Sequence, residues 1–196
     1  MHLNLELWMD EKQAIDRLLR LDPEGLAWLV ERCQLKALRV AFLITRERAL
    51  AEDVVQDKFA RLPGTIRTFD RGRPFEPWFL RGVVNAAIRA VSHRSRSISL
   101  ADGEEAERWL DQLVAHAPGP EEQVQQAELE QRIWQEMQQL SPQQRAVIVT
   151  RYYLEMSEAE MAEAAAVPKG TIKWRLNAAR TRLQKLLSPD PRKEVK

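Results

Sequence analysis

Two helical segments separated by a tight turn lie near the C-terminus of this 196-residue chain. The segment SEAEMAEAA (157–165) is followed by AVP (166–168) and then by KGTIKWRLNAARTRLQKLL (169–187). A helix, a short turn and a second helix in this order are typical of a helix-turn-helix, whose second helix enters the major groove of DNA. The pattern predicts a small helical DNA-binding domain at this end of the chain.

The second of these helices has one apolar face. With Ile172 at the origin of a helical wheel, Leu176, Ala179 and Leu183 lie within about 40° of it. We expect this stripe to pack into the core of the domain. The side chains that flank or oppose it are mostly polar, basic or aromatic: Lys173, Trp174, Arg175, Asn177, Arg180, Thr181 and Arg182.

Charge supports the same interpretation. Residues 169–193 hold eight basic side chains and a single acidic one, Asp190. This concentration suits a surface that binds phosphates. A solvated basic helix with no DNA partner would carry the same charge, so the turn and the apolar stripe are what favour DNA binding.

The rest of the chain also favours helices. It has only 7 glycines and few β-branched runs, and it is rich in Ala, Leu, Glu, Gln and Arg. We therefore predict an all-α fold. The predicted helices cover residues 10–20, 24–44, 47–62, 75–93, 121–139, 142–153, 158–165 and 169–187, with breaks at Pro63-Gly64, 67–74 and 166–168.

An acidic segment divides the chain. Residues 96–140 hold ten acidic and three basic side chains, and the breaker PGP occupies 118–120. We predict a linker over residues 96–122 that joins an N-terminal domain (1–95) to a C-terminal domain (123–196). The expected architecture is two small helical domains, the second a helix-turn-helix.

Membrane insertion and export are not expected. The longest uninterrupted apolar run, VAFLI (40–44), is far shorter than the roughly 20 residues that span a bilayer. The first residues are acidic where a signal peptide has a basic segment and an apolar core. We therefore expect a cytoplasmic protein.

The sequence offers no pattern for catalysis or metal binding. Cys33 lies among apolar helical residues, which favours a packing role, and the three histidines (2, 93 and 116) lack ligand spacing. There is no glycine-rich phosphate loop, no His-Glu-x-x-His helix and no nucleophile beside a base. We expect no metal, no cofactor and no enzymatic activity.

Residues 140–183, LSPQQRAVIVTRYYLEMSEAEMAEAAAVPKGTIKWRLNAARTRL, resemble the −35-reading domain of bacterial RNA polymerase sigma factors of the extracytoplasmic-function group. The most specific part is PKGTIKWRL (168–176). Two further segments, AEDVVQDKFARL (51–62) and GRPFEPWFLRGVVN (72–85), resemble the −10 and core-polymerase-binding domain of that group. The resemblance implies RNA polymerase core and promoter DNA as partners, and an anti-sigma factor as the regulatory partner.

The helix predicted over 47–62 has two distinct faces. One is an apolar arc formed by Leu50, Ala51, Val54, Val55 and Leu62. On the other side a polar stripe follows i, i+3, i+4, i+7 spacing. Its members are Asp53, Gln56, Asp57 and Ala60. Such a stripe is often only solvated surface, but the resemblance implies that it docks on the clamp helices of the polymerase largest subunit. Our candidate core-binding residues are therefore Asp53, Gln56 and Asp57.

Aromatic and basic residues follow in the next helix. The close spacing of Phe75, Trp78 and Phe79 favours a core position, so we expect Trp78 to be buried. Basic side chains further along could neutralise the phosphates of a separated DNA strand. The resemblance implies that the preceding loop holds a flipped −10 base. The candidate −10 residues are Thr68, Phe69, Asp70, Arg71, Arg73, Trp78, Arg81, Asn85 and Arg89.

The resemblance also places the −35 contacts on the second helix of the helix-turn-helix. The candidates are Lys169, Thr171, Lys173, Trp174, Arg175, Asn177 and Arg180. Trp174 stands where the group usually has a small residue, and Ala178 where it has a basic one. Pro63-Gly64 interrupts a helix that is usually continuous, and QDK (56–58) replaces the common Gln-Glu-Thr. A promoter sequence therefore cannot be transferred from relatives.

Together these features predict a sigma factor that binds polymerase core, recognises and melts the −10 element and recognises the −35 element. A stand-alone helix-turn-helix regulator, binding DNA as a dimer, is the first alternative. A helical interaction protein without DNA is the second. The polar stripe and the −10 loop favour the sigma factor, because a simple regulator does not need them.

Overall fold

The computed structural model describes residues 9–94, 133 and 135–187, and these contain helices and no strands. The N-terminal domain consists of α1 (Glu11–Leu19), α2 (Pro23–Thr45), α3 (Arg48–Ala60), α4 (Leu62–Thr65) with a 3-10 turn (Ile66–Thr68), and α5 (Phe75–Arg94). The C-terminal domain consists of α6 (Pro142–Ile148) with a π-helical turn (Val149–Tyr153), α7 (Glu158–Ala165) and α8 (Lys169–Leu187). The predicted all-α fold is confirmed. The predicted linker (96–122) and most of the helix predicted over 121–139 lie outside the described residues.

Helices α1 and α2 pack unusually closely at a glycine. The side chain of Asp10 caps α1 by accepting from the Gln13 N–H, and Asp22 caps α2 by accepting from the Glu24 N–H. A Cβ atom added to Gly25 would lie only 2.3 Å from the carbonyl oxygen of Ala14. The backbones of the two helices can approach this closely only because position 25 has no side chain.

An aromatic cluster fills the space between α3 and α5. The ring of Phe79 stacks on that of Phe59, with 4.5 Å between centroids, and lies 5.6 Å from that of Phe75. Both Phe75 and Phe79 are fully buried, whereas Trp78 is only half-buried at the edge of the cluster. The expected burial of Trp78 is therefore only partly correct, since its side chain packs against the core but keeps some exposed surface.

The helix predicted over 47–62 ends earlier than expected, at Ala60. Pro63 has no N–H to donate to the carbonyl of Phe59, and its ring disfavours a continuous helix. The chain turns at Arg61 and resumes as the four-residue α4. The interruption predicted at Pro63-Gly64 is thus present, but it begins two residues before the proline.

The helix-turn-helix is formed as its sequence predicts. Capping boxes begin α6 and α7, each made by a serine and the residue three positions later. Helix α7 ends at Ala165, and the C-cap residue Ala166 adopts a left-handed conformation (φ 51°). In α8 the predicted stripe packs inward: Ile172, Leu176 and Ala179 are buried, and Leu183 is half-buried against the core.

Two arginines connect the domains through hydrogen bonds to backbone carbonyls. The buried Arg145 of α6 donates from Nε to the carbonyl of Ile44 in the last turn of α2 (2.9 Å) and from Nη1 to that of Leu140 (2.5 Å). In the opposite direction, Arg46 donates from Nη1 to the carbonyl of Gln138 (2.8 Å). Burial, together with the charge of Arg46, lowers the pKa of Arg145 to about 10. The Arg145 guanidinium is therefore charged at neutral pH.

Cys33 is buried in α2, and burial raises the pKa of its thiol to about 12. The thiol is therefore protonated at physiological pH, which confirms the predicted packing role.

In the part of the chain that the structure describes, no helix has the length and apolar character needed to cross a membrane.

Candidate polymerase and nucleic-acid interfaces

The polar stripe predicted on α3 lies on the protein surface. Asp53, Gln56 and Asp57 are all exposed, and the opposite face of the helix is buried through Val54 and Val55. Asp57 pairs with Arg61 (Oδ1 to Nε 2.7 Å). The side chains of Asp53 and Gln56 make no hydrogen bond or ion pair with any described residue. A carboxylate and an amide are thus available to a partner, on a helix fixed by its buried face. We call Asp53, Gln56 and Asp57 the α3 ridge.

The loop between the 3-10 turn and α5 is organised by its own polar groups. The Thr68 hydroxyl donates to the carbonyl of Thr65 (2.8 Å). The Asp70 carboxylate accepts from the backbone N–H of Gly72 (2.9 Å), which is an Asx turn. Because these bonds are local, the loop holds a defined shape although most of its side chains are exposed.

Helix α1 contacts the same loop and the start of α5 through two acidic side chains. Arg71 forms an ion pair with Asp16 (Nη2 to Oδ1 2.6 Å). The carboxylate of Glu11 accepts from the N–H of Phe75, in the first turn of α5 (3.1 Å). Arg71 is a predicted DNA contact, and in the structure its guanidinium forms an ion pair with the carboxylate of Asp16.

Phe69 differs from the expectation for an exposed loop residue. Only 7% of its surface is exposed, and its ring packs 5.7 Å from Phe75 and 5.2 Å from Trp78. An apolar ring in a loop gains more by joining the aromatic cluster than by facing water, and the role of Phe69 as a DNA contact stays a prediction. In this structure the ring anchors the loop to the core.

A cleft of about 370 Å³ lies between α3, α4, the 3-10 turn and α5 on one side and α7 on the other. This volume lies in the range of sites that hold small ligands. Its polar and aromatic lining from the N-terminal domain consists of Lys58, Thr65, Thr68, Trp78, Phe79, Arg81 and Asn85. Four of these residues are predicted −10 contacts, and the structure brings them together. Lys58 was not predicted, since its sequence position belongs to the helix that carries the α3 ridge.

Acidic and backbone groups of α7 cover part of this cleft. Arg81 pairs with Glu160 (3.6 Å), and Arg73 pairs with Glu163 (3.7 Å). Asn85 donates to a backbone carbonyl in the last turn of α7 (3.1 Å). Hydrogen bonds from the N–H and hydroxyl of Ser157 lower the pKa of Glu160 and keep it ionised. Three predicted DNA contacts therefore have partners within the protein.

Arg89, one turn after Asn85, is exposed, and its Nε donates to the Asn85 carbonyl (3.1 Å). The remaining donors of its guanidinium extend the basic character of the cleft along α5.

The outer face of α8 has the composition expected of a recognition helix. Trp174 is 70% exposed and so does not pack against a neighbouring helix. The other exposed candidates are Lys169, Lys173, Asn177 and Arg180. Thr171 and Arg175 are half-buried, and Arg175 borders a second cleft beside Arg81 and Asn85. The helical wheel predicted that Arg175 lies beside the buried stripe. It could not predict that Arg175 also lies close to Arg81 and Asn85 of the N-terminal domain.

Tyr152 is a contact of the recognition helix that the sequence did not reveal. Its hydroxyl accepts a hydrogen bond from Nε of Arg180 (2.7 Å), and its ring lies 5.6 Å below that guanidinium. Tyr152 is 57% exposed because the π-helical turn carries it out of the core. A tyrosine 28 positions earlier in the chain thus fixes the orientation of a candidate DNA contact.

Two family matches cover the two domains in this order. Residues 29–97 match the family described as Sigma-70 region 2, and residues 130–183 match Sigma-70, region 4. The first contains the α3 ridge and the cleft, and the second contains the helix-turn-helix.

Curated relatives match most of the chain. The chain is 30% identical over 179 residues to the ECF RNA polymerase sigma factor SigW of Bacillus subtilis, covering 90% of this chain and 96% of the relative. It is 32% identical to the RNA polymerase sigma factor CnrH of Cupriavidus metallidurans, covering 72% and 75%.

Solved structures share the fold. The structure of CnrH in complex with the cytosolic domain of CnrY matches with a TM-score of 0.61 at 21% identity and covers 92% of this chain and 99% of that one. The sigma factor RpoE in complex with the anti-sigma factor NepR from Bartonella quintana matches with a TM-score of 0.56 at 24% identity, covering 80% and 92%. Both sigma-70 regions are present in order, and a relative 30% identical is matched along nearly its full length, so the chain belongs to the extracytoplasmic-function sigma factors of RNA polymerase.

Proposed function

We propose that this sigma factor docks on RNA polymerase core through the α3 ridge, captures the −10 strand in the cleft between α3 and α5, and reads the −35 element with α8. The observation that carries the proposal is that one chain presents all three surfaces, whereas a simple regulator needs only the third. Transcription in vitro tests it directly. Core polymerase with the protein should initiate selectively on members of a promoter library, and core alone should not.

The α3 ridge suits a protein partner better than DNA. Its exposed carboxylates would repel phosphates, and they complement basic side chains on another protein. The buried face of α3 holds the ridge rigid, so little conformational entropy is lost on docking.

Replacing Asp53 with Asn and Gln56 with Ala should weaken binding to core polymerase about tenfold, since a charge and an amide are lost from the docking surface. Both side chains are exposed and have no partner among the described residues, so the melting temperature should not change. Affinity for core is measured by fluorescence anisotropy, and folding by circular dichroism.

A matched control for this variant is Glu52→Gln. Glu52 lies on the same helix beside the ridge and pairs with Arg48 (2.8 Å). If Glu52→Gln weakens core binding as much as the double variant does, the effect is one of overall charge and the ridge has no specific role.

For the −10 element we propose that Thr68, Trp78, Arg81 and Asn85 surround an unstacked base while Arg73 and Arg89 meet phosphates. Stacking on an aromatic ring combined with cationic side chains is the general way in which proteins hold single-stranded DNA. Trp78 fits this role because it lines the cleft and its indole is only partly buried.

For the −35 element we propose that Lys169, Lys173 and Arg180 anchor the phosphate backbone, while Trp174 and Asn177 reach base edges. An asparagine can hydrogen-bond adenine in a bidentate manner, and an apolar ring can contact the thymine methyl group. Thr171 and Arg175 lie closer to the interior, where they support the helix.

We further infer that the protein acts in the cytoplasm, that catalysis resides in the polymerase, and that an anti-sigma factor controls the protein. The last inference is supported by the relatives RpoE and CnrH, whose solved complexes contain NepR, an anti-sigma factor, and CnrY.

The contacts of α7 with the cleft predict that the free protein binds the −10 strand weakly. Changing Glu160 and Glu163 to Gln should strengthen binding of the free protein to single-stranded −10 DNA roughly two- to fivefold at low salt, because exposed ion pairs are worth little individually. Glutamine preserves the capping box of α7. A fluorescent oligonucleotide titration measures the change.

Glu158→Gln serves as the control, because it removes one negative charge from the same helix without breaking either cross-domain ion pair. An equal gain of affinity in Glu158→Gln would contradict a specific role for the two cross-domain ion pairs.

The alternative, a regulator that binds DNA alone, makes a different prediction for gel shifts. A tight and specific complex with promoter duplex in the absence of core polymerase would favour it. Under the sigma-factor proposal, the free protein binds duplex weakly and core positions both domains.

A further inference from the structure

Lys58 has an unusual position for a helix residue that follows the α3 ridge. Its side chain is half-buried and lines the cleft beside Thr68, Trp78 and Asn85. It crosses α5 at Gly82, where an added Cβ atom would lie 2.8 Å from Nζ. The missing side chain at position 82 therefore leaves the space that the ammonium group occupies.

The ammonium group of Lys58 has no hydrogen bond or ion pair with any residue that the structure describes. The other cation of the cleft, Arg81, is paired with Glu160. Burial lowers the pKa of Lys58, the charges of Arg89 and Arg61 lower it further, and the charge of Asp57 opposes this shift. A half-buried cation near other cations is unfavourable in isolation, and an anion beside it would relieve this cost.

We propose that Lys58 binds a backbone phosphate of the separated −10 strand, next to the nucleotide whose base enters the cleft. The inference rests on the proposed function of the cleft and adds a residue to it. The non-bridging oxygens of a phosphodiester accept the ammonium hydrogens, while the base lies against Trp78 on the same side of α5. Lys58 thereby fixes where the strand enters the cleft.

Position 58 lies directly after Asp57, yet the two side chains serve different partners. Asp57 is exposed on the α3 ridge and pairs with Arg61 at its surface, whereas Lys58 turns toward α5. One helix would then contact polymerase with one face and DNA with the next.

The test uses holoenzyme reconstituted from core polymerase with the wild-type protein or a variant. The probe is a forked promoter DNA whose −10 non-template strand is single-stranded, and its dissociation constant is measured over a series of salt concentrations. Lys58→Gln should weaken binding about three- to tenfold and lower the slope of log K against log salt by about 0.7, the value for one contact to a single strand. Lys58→Arg should retain most of the affinity.

A second set of probes carries one uncharged methylphosphonate at each −10 phosphate in turn. One of these substitutions should weaken binding by wild type and have no further effect on Lys58→Gln. Gly82→Ala should show a partial loss, since the new methyl group displaces the ammonium while keeping its charge. Arg61→Gln is the control. Arg61 is a cation that directly follows α3 but does not line the cleft. This variant should respond to the neutral linkages as wild type does.

The outcomes separate this inference from the proposed function. If wild-type holoenzyme prefers the promoter fork and Lys58→Gln binds it with unchanged affinity and salt slope, the role of Lys58 is overturned and the proposed function stands. Equal sensitivity of both proteins to every neutral linkage also overturns it. If wild-type holoenzyme shows no preference for the promoter fork, the proposed function fails, and the inference about Lys58 fails with it.

Discussion

Gly25→Ala is expected to lower the free energy of unfolding by about 2–3 kcal/mol, although alanine is the better helix former. The added methyl group would lie 2.3 Å from the carbonyl oxygen of Ala14 and 2.7 Å from the backbone nitrogen of Leu18. Both atoms belong to the backbone of α1, so no side-chain rotation can relieve the contact. The two helices must move apart, and the apolar residues between them lose part of their packing.

Gly64→Ala provides the opposite control. Gly64 lies in α4, it has no positive φ, and an added Cβ atom would meet no other atom within 4 Å. The same chemical change should therefore be neutral or should stabilise the protein by up to about 1 kcal/mol. Urea unfolding followed by circular dichroism measures both variants. If the two alanines have the same effect, the close contact of α1 with α2 is not present in solution.

Gly25→Ala should also impair the −10 loop, because α1 contacts that loop through Asp16 and the start of α5 through Glu11. When α1 moves, the ion pair to Arg71 and the cap on the first turn of α5 are weakened together. Holoenzyme with Gly25→Ala should therefore open promoters more slowly than wild type at temperatures where the protein is still folded. Permanganate footprinting of the −10 region measures this rate.

The sequence predicted best those features that depend on residues close together in the chain. The stripe of Ile172, Leu176 and Ala179 is fixed by the helical repeat, and the buried face of α8 follows from it. The exposed positions of Asp53 and Gln56 follow in the same way from the apolar arc on the other side of α3. In both helices, periodicity alone distinguishes inside from outside.

Features that depend on distant contacts could not be predicted in this way. Phe69 lies in a polar loop, and its burial is decided by the aromatic rings of α5. Lys58 is three residues from Val55 on the same helix, and only the absence of a side chain at Gly82 explains its position in the cleft. A helical wheel ranks residues on one helix, but it does not indicate which neighbouring helix will cover them.

Substitutions on the outer face of α8 are expected to change promoter preference strongly. Trp174→Ser and Asn177→Ala should each change which −35 base is preferred, with about 1–3 kcal/mol at stake for each good base contact, or roughly 5- to 150-fold. Asn177→Ala should lose discrimination for adenine, and Trp174→Ser for thymine. Transcription of a randomised −35 library by holoenzyme carrying each variant, followed by sequencing of the transcripts, measures the preference at every position.

Neither change should destabilise the protein, because Asn177 is exposed and Trp174 is 70% exposed. Exposed substitutions normally shift stability by less than about 0.5 kcal/mol. Lys173→Ala is the matched control from the same helix: loss of a phosphate contact weakens all sequences alike and lowers the salt slope by about 1. If the Trp174 and Asn177 variants change the preferred −35 base without losing affinity for all sequences alike, these two side chains are the ones that reach the bases. If their −35 preferences stay unchanged while their melting temperatures fall, this face of α8 packs against protein and does not enter the groove.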